Sequence, residues 1–461
     1  MNHPMTHTTS DGTTQPARAR LPRGPRMRHI ALLGGTTTWS DCFAAVCSLL
    51  LPHRLIQGPA IPAYEHAFAE RSGVRWAFSF ANGRVGLYGI LQALGVGPGD
   101  EVLLQAPTHI VVANAIRYLG AHPVYVDCDS TTYNIDLAQA ERLITPRTRV
   151  LLLQHTFGVS ADLDTALTLA QRHGLALVED CVHALGATYR GRQVGSFGKA
   201  AFFSSEETKI ISTTFGGMAT TDDPAIARYL QAFQARCIWP SRWLVARSVL
   251  KFALYRILMS PYLHRPMRAL YELMGRHLPL PRPTSPDEER GERPDDYECR
   301  LSNAQAALGV RQLRGLDRNL AHRRMIAQVY ERLFLAYGVR VSRAPSHMQP
   351  AYARYPVWAP NRDAAIQAVN RYALPGLWFT SVLEDGASTI AGGYQTGSCP
   401  RAESVTQHLI NLPTHPRVTL ADAELIALAM ASVFPASLTA DIPQIETEPQ
   451  LEVTPAPNSL V

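Results

Sequence analysis

FFSSEETKIISTTFGGM, residues 202–218, carries Lys209 in a chain that hardly uses lysine at all. Of its 44 Lys plus Arg residues only Lys199, Lys209 and Lys251 are lysines; the other 41 are arginine. A guanidinium keeps its proton in a protein, whereas an ammonium can lose it, and only a neutral amine forms a Schiff base with a carbonyl. A lysine held after two aromatics and a Ser-Ser-Glu-Glu-Thr turn, and before Gly216-Gly217, therefore reads as a choice of chemistry. Lys199, in GSFGKAAFF at the start of a strand, reads as surface, and neither it nor Lys251 is expected to matter to a Schiff base on Lys209.

Outward from this stretch, short apolar runs alternate with helical periods from about residue 72. WAFSF (76–80) leads into NGRVGLYGILQALG, DEVLLQAP (100–107) precedes a helical period through Ala113 and Tyr118, and HPVYVD, RVLLLQ and LALVED are further strand candidates. Strands joined in sequence by helices predict a mainly parallel α/β sheet with its ligand at the carboxyl ends of the strands. The pattern breaks after Ala235 into a basic, apolar segment and then PLPRPTSPDEERGERPDDYE, whose composition predicts an exposed, mobile linker. Helical periodicity returns in LSNAQAALGVRQLRGLDRNLAHRRMIAQVYERL. The division expected is an N-terminal disordered arm (1–27), a large cofactor-binding domain (28–235), a helical insertion with linker (236–296), a small C-terminal α/β domain (297–436) and a disordered tail (437–461). Met27 is an alternative start.

Composition narrows the function classes. With 46% hydrophobic and 18% charged residues the chain is an ordinary globular protein, and its net charge of +6 is spread along the sequence, which argues against nucleic-acid binding. The seven cysteines, Cys42, Cys47, Cys128, Cys181, Cys237, Cys299 and Cys399, show neither zinc spacing nor a disulfide ladder, so a reducing cytoplasm is expected.

A lysine that binds pyridoxal 5′-phosphate needs N–H groups and a hydroxyl for the phosphate, a carboxylate for the pyridine nitrogen, and a cover for the ring. Asn82-Gly83-Arg84 stands at a strand-to-helix turn, where the helix dipole favours phosphate. Asp180 ends LALVED at the carboxyl edge of the sheet; His183 follows three residues later; Ser204 precedes Lys209 by five. Each alone has an ordinary reading as a cap, turn or structural residue. Their order and joint context point to the cofactor.

In that order the chain resembles the DegT/DnrJ/StrS-type sugar aminotransferases, pyridoxal-phosphate enzymes of fold type I (aspartate aminotransferase-like). The resemblance rests on IQGPAIPAYEHAFAERSGV, NGRVGLYGILQALGVGPGDEV, ANAIRYLGAHPVYVDCDSTTYNID, ITPRTRVLLLQHTFGVSADLD, LALVEDCVHALGATYRGRQVGSFGKAAFFS and RLSNAQAALGVRQL. It implies Lys209 as the cofactor's lysine, Asp180 at the pyridine nitrogen, His183 near the ring hydroxyl, and Ser204 with Asn82, Gly83 and Arg84 at the phosphate. It further implies a homodimer, a keto-sugar nucleotide as substrate, glutamate as donor, and a place in polysaccharide, lipopolysaccharide or secondary-metabolite synthesis. Dehydratases of the family carry histidine in the place of Lys209, so transamination is favoured; a dehydratase and a non-catalytic binding protein are the alternatives. Three residues depart from the pattern. Arg84 replaces a small residue, His109 replaces the aromatic that covers the ring, and Glu298 stands where a partner's asparagine often meets the phosphate. No phosphate role is carried over to Glu298.

SRWLVARSVLKFALYRILMSPYLHRPMRALYELMGRHLPL (241–280) lies outside the resemblance. Arg242, Arg247, Lys251, Arg256, Arg265, Arg268 and Arg276 interrupt it too often for a bilayer span, and Pro261 and Pro266 divide it into two helices. It reads either as an insertion packed on the dimer with its arginines reaching outward, or as a basic helix pair on an anionic inner-membrane surface.

Overall fold

The computed structural model describes residues 28–32, 35–274 and 284–434, with side chains masked from 271 to 274; the arm (1–27) and tail (437–461) lie outside the described residues. Seven strands form the central sheet, in the order Trp76–Phe80, Gly217–Thr221, Ala200–Ser204, Ala176–Asp180, Thr148–Gln154, Glu101–Gln105, His122–Val126. Gly217–Thr221 runs against both neighbours, and every other adjacent pair is parallel. The sheet is thus mainly parallel, as expected. Strand alternation feeds two cores: Val102, Leu104 and Phe202 pack on one face with Leu87, Ile90 and Phe233, while Leu103, Leu151, Leu177 and Phe203 pack on the other. Each such buried side chain contributes about 1.5–3 kcal/mol.

Helices Gly83–Ala93, Ile110–Arg117, Leu163–His173 and Pro224–Arg236 connect or cover the strands. Their ends are set by local chemistry. Asp162 and Asp223 cap first turns through backbone N–H groups, and Gly174 ends Leu163–His173 with φ 67°, where an L side chain is strained.

A smaller C-terminal unit pairs Tyr355–Trp358 antiparallel with Leu409–Leu412. Helices Leu316–Ala336, Arg362–Val369 and Leu420–Ala431 cover the pair, burying Ile326, Tyr330, Phe334, Ile410, Ile426 and Met430. Ile30 belongs to this core and bridges Ala373, so the described start of the chain crosses to the C-terminal unit. The single period of 301–333 becomes two helices, Asn303–Arg314 and Leu316–Ala336, that meet at Gly315.

The linker expectation is corrected over its described part. Ser285 forms a capping box with Glu288 on helix Pro286–Glu289, and Asn114 Nδ2 donates to the Glu288 carbonyl at 2.7 Å. Thr284, Glu288 and Tyr297 are buried. Composition alone did not disclose that this segment's polar groups have partners on the large domain. The insertion forms helices Arg242–Leu258 and His264–Met274, with Pro261 between them and Pro266 in the first turn of the second. Val245, Val249 and Phe252 pack with Ala45 of helix Trp39–Leu49 and with Ala304 and Leu308. Among the described residues no helix is long and apolar enough to cross a membrane.

Candidate active site

A cleft of about 400 Å³ opens at the carboxyl ends of the parallel strands, and Asn82, Gly83, Arg84, His109, Asp180, His183, Ser204 and Lys209 all line it. One end is built for close backbone approach. A Cβ on Gly217 would lie 2.2 Å from Asn82 C and Gly83 N, and one on Gly83 would lie 2.8 Å from the Phe203 carbonyl oxygen. Asn82 precedes helix Gly83–Ala93 in extended geometry and makes no side-chain cap, so the first-turn N–H groups remain uncapped by it. Ser204 sits beside this turn, its Oγ accepting from Glu206 N at 3.3 Å.

Arg84 is held by the linker. Its Nε lies 2.7 Å from Glu288 Oε1, and the Glu288 side chain is 2% exposed. The departure at Arg84 is therefore matched by a buried carboxylate that the sequence resemblance does not contain. Glu298 faces elsewhere: its carboxylate meets Arg293 at 2.5 Å and Arg236 at 3.7 Å, and it does not line the cleft.

Deeper in, Lys209 Nζ lies 3.2 Å from His183 Nε2 and 4.1 Å from the centroid of the Trp378 ring. Burial lowers the lysine to about 8, with neighbouring Glu206 opposing and Arg354 adding to the shift. Burial, Lys209 and Arg354 push His183 well below the ordinary imidazole range, so it is neutral. Its ring stacks with Phe157 (9° between planes) and tilts against Trp378, while Nδ1 is buried without a hydrogen-bond partner. Asp180 accepts from Val182 N at 3.1 Å, and burial raises its carboxyl to about 6.

His109 caps helix Ile110–Arg117, its Nδ1 accepting from Val111 N at 3.4 Å. That leaves Nε2 to donate toward Asp385 Oδ2, 3.3 Å away. Asp385 also accepts from Thr284 Oγ1 at 3.0 Å and holds φ 61°, an uncommon conformation for a residue with a side chain.

Sequence reasoning missed Trp378, Asp385 and Glu289, which line the cleft, and Arg354 beside it. Trp378 and Asp385 come from an irregular stretch between strands, where periodicity carries no signal; a tryptophan and an acid in such a loop were the only cues. The observed donors fit pyridoxal 5′-phosphate. There is a buried amine of lowered proton affinity, a buried carboxylate, an orphaned imidazole nitrogen, and a glycine-lined helix start that a Cβ would fill.

The model of the DegT/DnrJ/EryC1/StrS aminotransferase family matches residues 40–245 and 287–431. The chain is 31% identical over 388 residues to GDP-perosamine synthase of Caulobacter vibrioides, covering 82% of this chain and 90% of that protein. It is 33% identical over 280 residues to the spore coat polysaccharide biosynthesis protein SpsC of Bacillus subtilis, covering 61% and 63%. Among solved structures, S. venezuelae DesV in complex with a ketimine intermediate superposes with a TM-score of 0.67 at 26% identity, covering 85% of this chain and 94% of that one.

Proposed function

The chain belongs to the DegT/DnrJ/EryC1/StrS aminotransferase family, and from that premise we propose that this pyridoxal-phosphate-dependent sugar aminotransferase moves an amino group from glutamate to the keto carbon of a nucleotide-linked sugar. The observation that carries the reading is Lys209. It is buried, lowered to about 8, and set 3.2 Å from a neutral His183 in a cleft that also holds Asp180.

Bound cofactor supplies an electron sink and carries the amino group between two half-reactions. The chain's residues do the rest. Lys209 offers an amine that is about half neutral at pH 8 and, with the cofactor bound, would take the proton from the donor's α-carbon and pass it on. Asp180 keeps the pyridine nitrogen protonated. His183 donates from Nδ1, its unpartnered nitrogen, to the ring hydroxyl when the other nitrogen faces the lysine. Asn82, Gly83 and Ser204 would hold the phosphate, while Arg84 beside them is paired with the buried Glu288 carboxylate, which offsets its charge. His109 covers the ring, held by the Val111 amide and Asp385.

Within this chain Arg293 and Arg236 take the Glu298 carboxylate. We take the assembled state to be a cytoplasmic homodimer. The test is amination of a panel of nucleotide-linked keto-sugars by the purified, cofactor-loaded protein with glutamate; aminated sugar with release of 2-oxoglutarate supports the reading. Conversion of sugar without amine uptake would defeat it in favour of dehydration.

A further inference from the structure

We propose that Glu288 is a positioning residue that holds Arg84 out of the cofactor's phosphate site and so weakens the grip on the phosphate; the inference rests on the phosphate placement read above. Arg84 stands in the first turn of helix Gly83–Ala93, where a phosphate would meet the uncapped N–H groups. A guanidinium there would ordinarily fork onto the phosphate and add a charge-assisted pair. In this chain its direction is set from elsewhere. Beyond the helix start lies a second cavity, of about 250 Å³, and Asn82 and Arg84 line both it and the cleft. Of the two, Glu288 lines the second cavity and not the cleft. The carboxylate that brings Arg84 Nε to 2.7 Å therefore draws it to the side away from the cofactor.

The two oxygens of Glu288 have separate tasks. Oε2 accepts from Ser285 N at 3.0 Å and from Ser285 Oγ at 3.2 Å, which closes the capping box of helix Pro286–Glu289. Oε1 faces Arg84 and accepts no hydrogen bond from any other described residue. The backbone on both sides is held as well. Asn114 Nδ2 donates to the Glu288 carbonyl, and the Tyr297 hydroxyl donates to the Arg84 carbonyl at 3.2 Å. The rings of Tyr118 and Tyr297, edge to face with centroids 5.2 Å apart, stand close enough to the pair to feel both of its charges. In a buried setting of this kind a charge acts strongly on its neighbours, and losing one partner of a pair is costly.

Glutamine separates the two tasks. It serves in a capping box as glutamate does, with its carbonyl oxygen facing Ser285 N. Its NH2 group then faces the guanidinium, donor against donor, so the ion pair is lost while the cap is kept. Arg84 also lines the cleft, so the cofactor phosphate is the anion on its other side. Glu288→Gln should therefore tighten the hold on the phosphate. A carboxylate that merely held the fold together would loosen it when lost, so the direction of the change separates the two roles.

Binding of pyridoxamine 5′-phosphate to the full-length, cofactor-free protein tests this, followed by the change in the ligand's fluorescence. That form of the cofactor has no carbonyl to react with Lys209, so it reports the non-covalent site alone. Its Kd should fall about tenfold in Glu288→Gln, the worth of one charge-assisted pair. Pyridoxamine without the phosphate should bind parent and variant alike. A Kd that is unchanged or raised in the variant overturns the proposal, and so does an equal fall for pyridoxamine. Arg84→Gln together with Glu288→Gln removes the pair as a unit, and it decides the matter if the single variant does not fold. Pyridoxamine 5′-phosphate should bind this double variant as it binds the parent, because Asn82, Gly83 and Ser204 are kept. A rise of about tenfold there would make Arg84 a phosphate ligand already in the parent and would overturn the proposal. A parent protein that binds pyridoxamine as tightly as its phosphate defeats the phosphate placement instead.

Discussion

Lys251 Nζ lies 2.5 Å from Glu207 Oε1, so the insertion helix Arg242–Leu258 grips the lysine loop two residues before Lys209. The side chains are 15% and 7% exposed, and Lys251 also rests 5.0 Å from the Tyr255 ring and 5.6 Å from Phe215. Two of the three lysines thus converge on one loop, and Lys251 is no bystander. Burial raises the Glu207 carboxyl and Lys251 opposes that rise. Lys251→Met strands the carboxylate and should destabilise the protein by about 3 kcal/mol, the lower end for breaking a buried pair. Lys251→Met with Glu207→Leu should recover most of it. Thermal unfolding of the two singles and the double checks the coupling, and additive losses would mean that the pair contributes nothing.

Lys209→Ala should abolish both the absorbance of lysine-bound cofactor and all turnover. Lys199→Ala should change neither, because Lys199 is exposed at the amino end of strand Ala200–Ser204. Retained absorbance in the Lys209 variant would move the assignment to another amine.

Cofactor capture should follow the titration of Lys209. Only the neutral amine reacts, so the uptake rate of the cofactor-free protein should climb with pH about a midpoint near 8, well below the usual 10.5 of lysine. Between those values the unfolded chain holds a proton that the folded chain does not. The cofactor-free protein should therefore gain stability as pH rises through that window. For Asp180 the sign is opposite. Its folded value of about 6 exceeds the ordinary 3.8, so the folded state holds the extra proton and this group's contribution falls as pH rises from 3.8 to 6. Denaturation midpoints across pH, for the parent and for Asp180→Asn, separate that contribution from other carboxyls.

The large domain was legible because its strands are buried on both faces and read as apolar runs, and because the site residues stand at strand ends, where a parallel sheet puts its ligands. The antiparallel strand Gly217–Thr221 was not legible, since GMATT lacks the apolar run that marked the others. Arg84 shows a second limit. In sequence it is only a departure from the family pattern, and only the fold brings Glu288, about two hundred residues away, against it. Arg354 and Trp378 follow the same rule: their meaning lies in contacts of long sequence separation, which local pattern does not encode.

Asp180→Asn should retain cofactor and lose turnover by on the order of a hundredfold or more, because a neutral amide cannot hold a proton on the pyridine nitrogen. Absorbance titration and steady-state rates check the two halves separately. Undiminished turnover would mean that another acid serves the ring.

The final prediction concerns the flank. Trp39 (62% exposed), Phe43 (73%) and Leu50 (76%) on or beside one helix, with Trp243 (76%) on the insertion helix, are large apolar side chains left in water. The guanidinium of Arg256 lies 5.2 Å from the Trp39 ring and ties the two helices together. Apolar surface gathered in this way marks an interaction face. A second copy of the chain is the expected occupant, because the arginines of the insertion do not gather on one helical face as a membrane-lying helix requires. Phe43→Glu with Trp243→Glu puts a carboxylate on each helix, disfavouring burial by at least about 2 kcal/mol apiece. Light scattering should then give the mass of one chain where the parent gives two. A parent that is active as a monomer would refute the dimer. In that case salt-sensitive binding to anionic, but not neutral, vesicles would assign the same flank to a membrane surface, with Arg242, Arg247 and Arg256 supplying the charge.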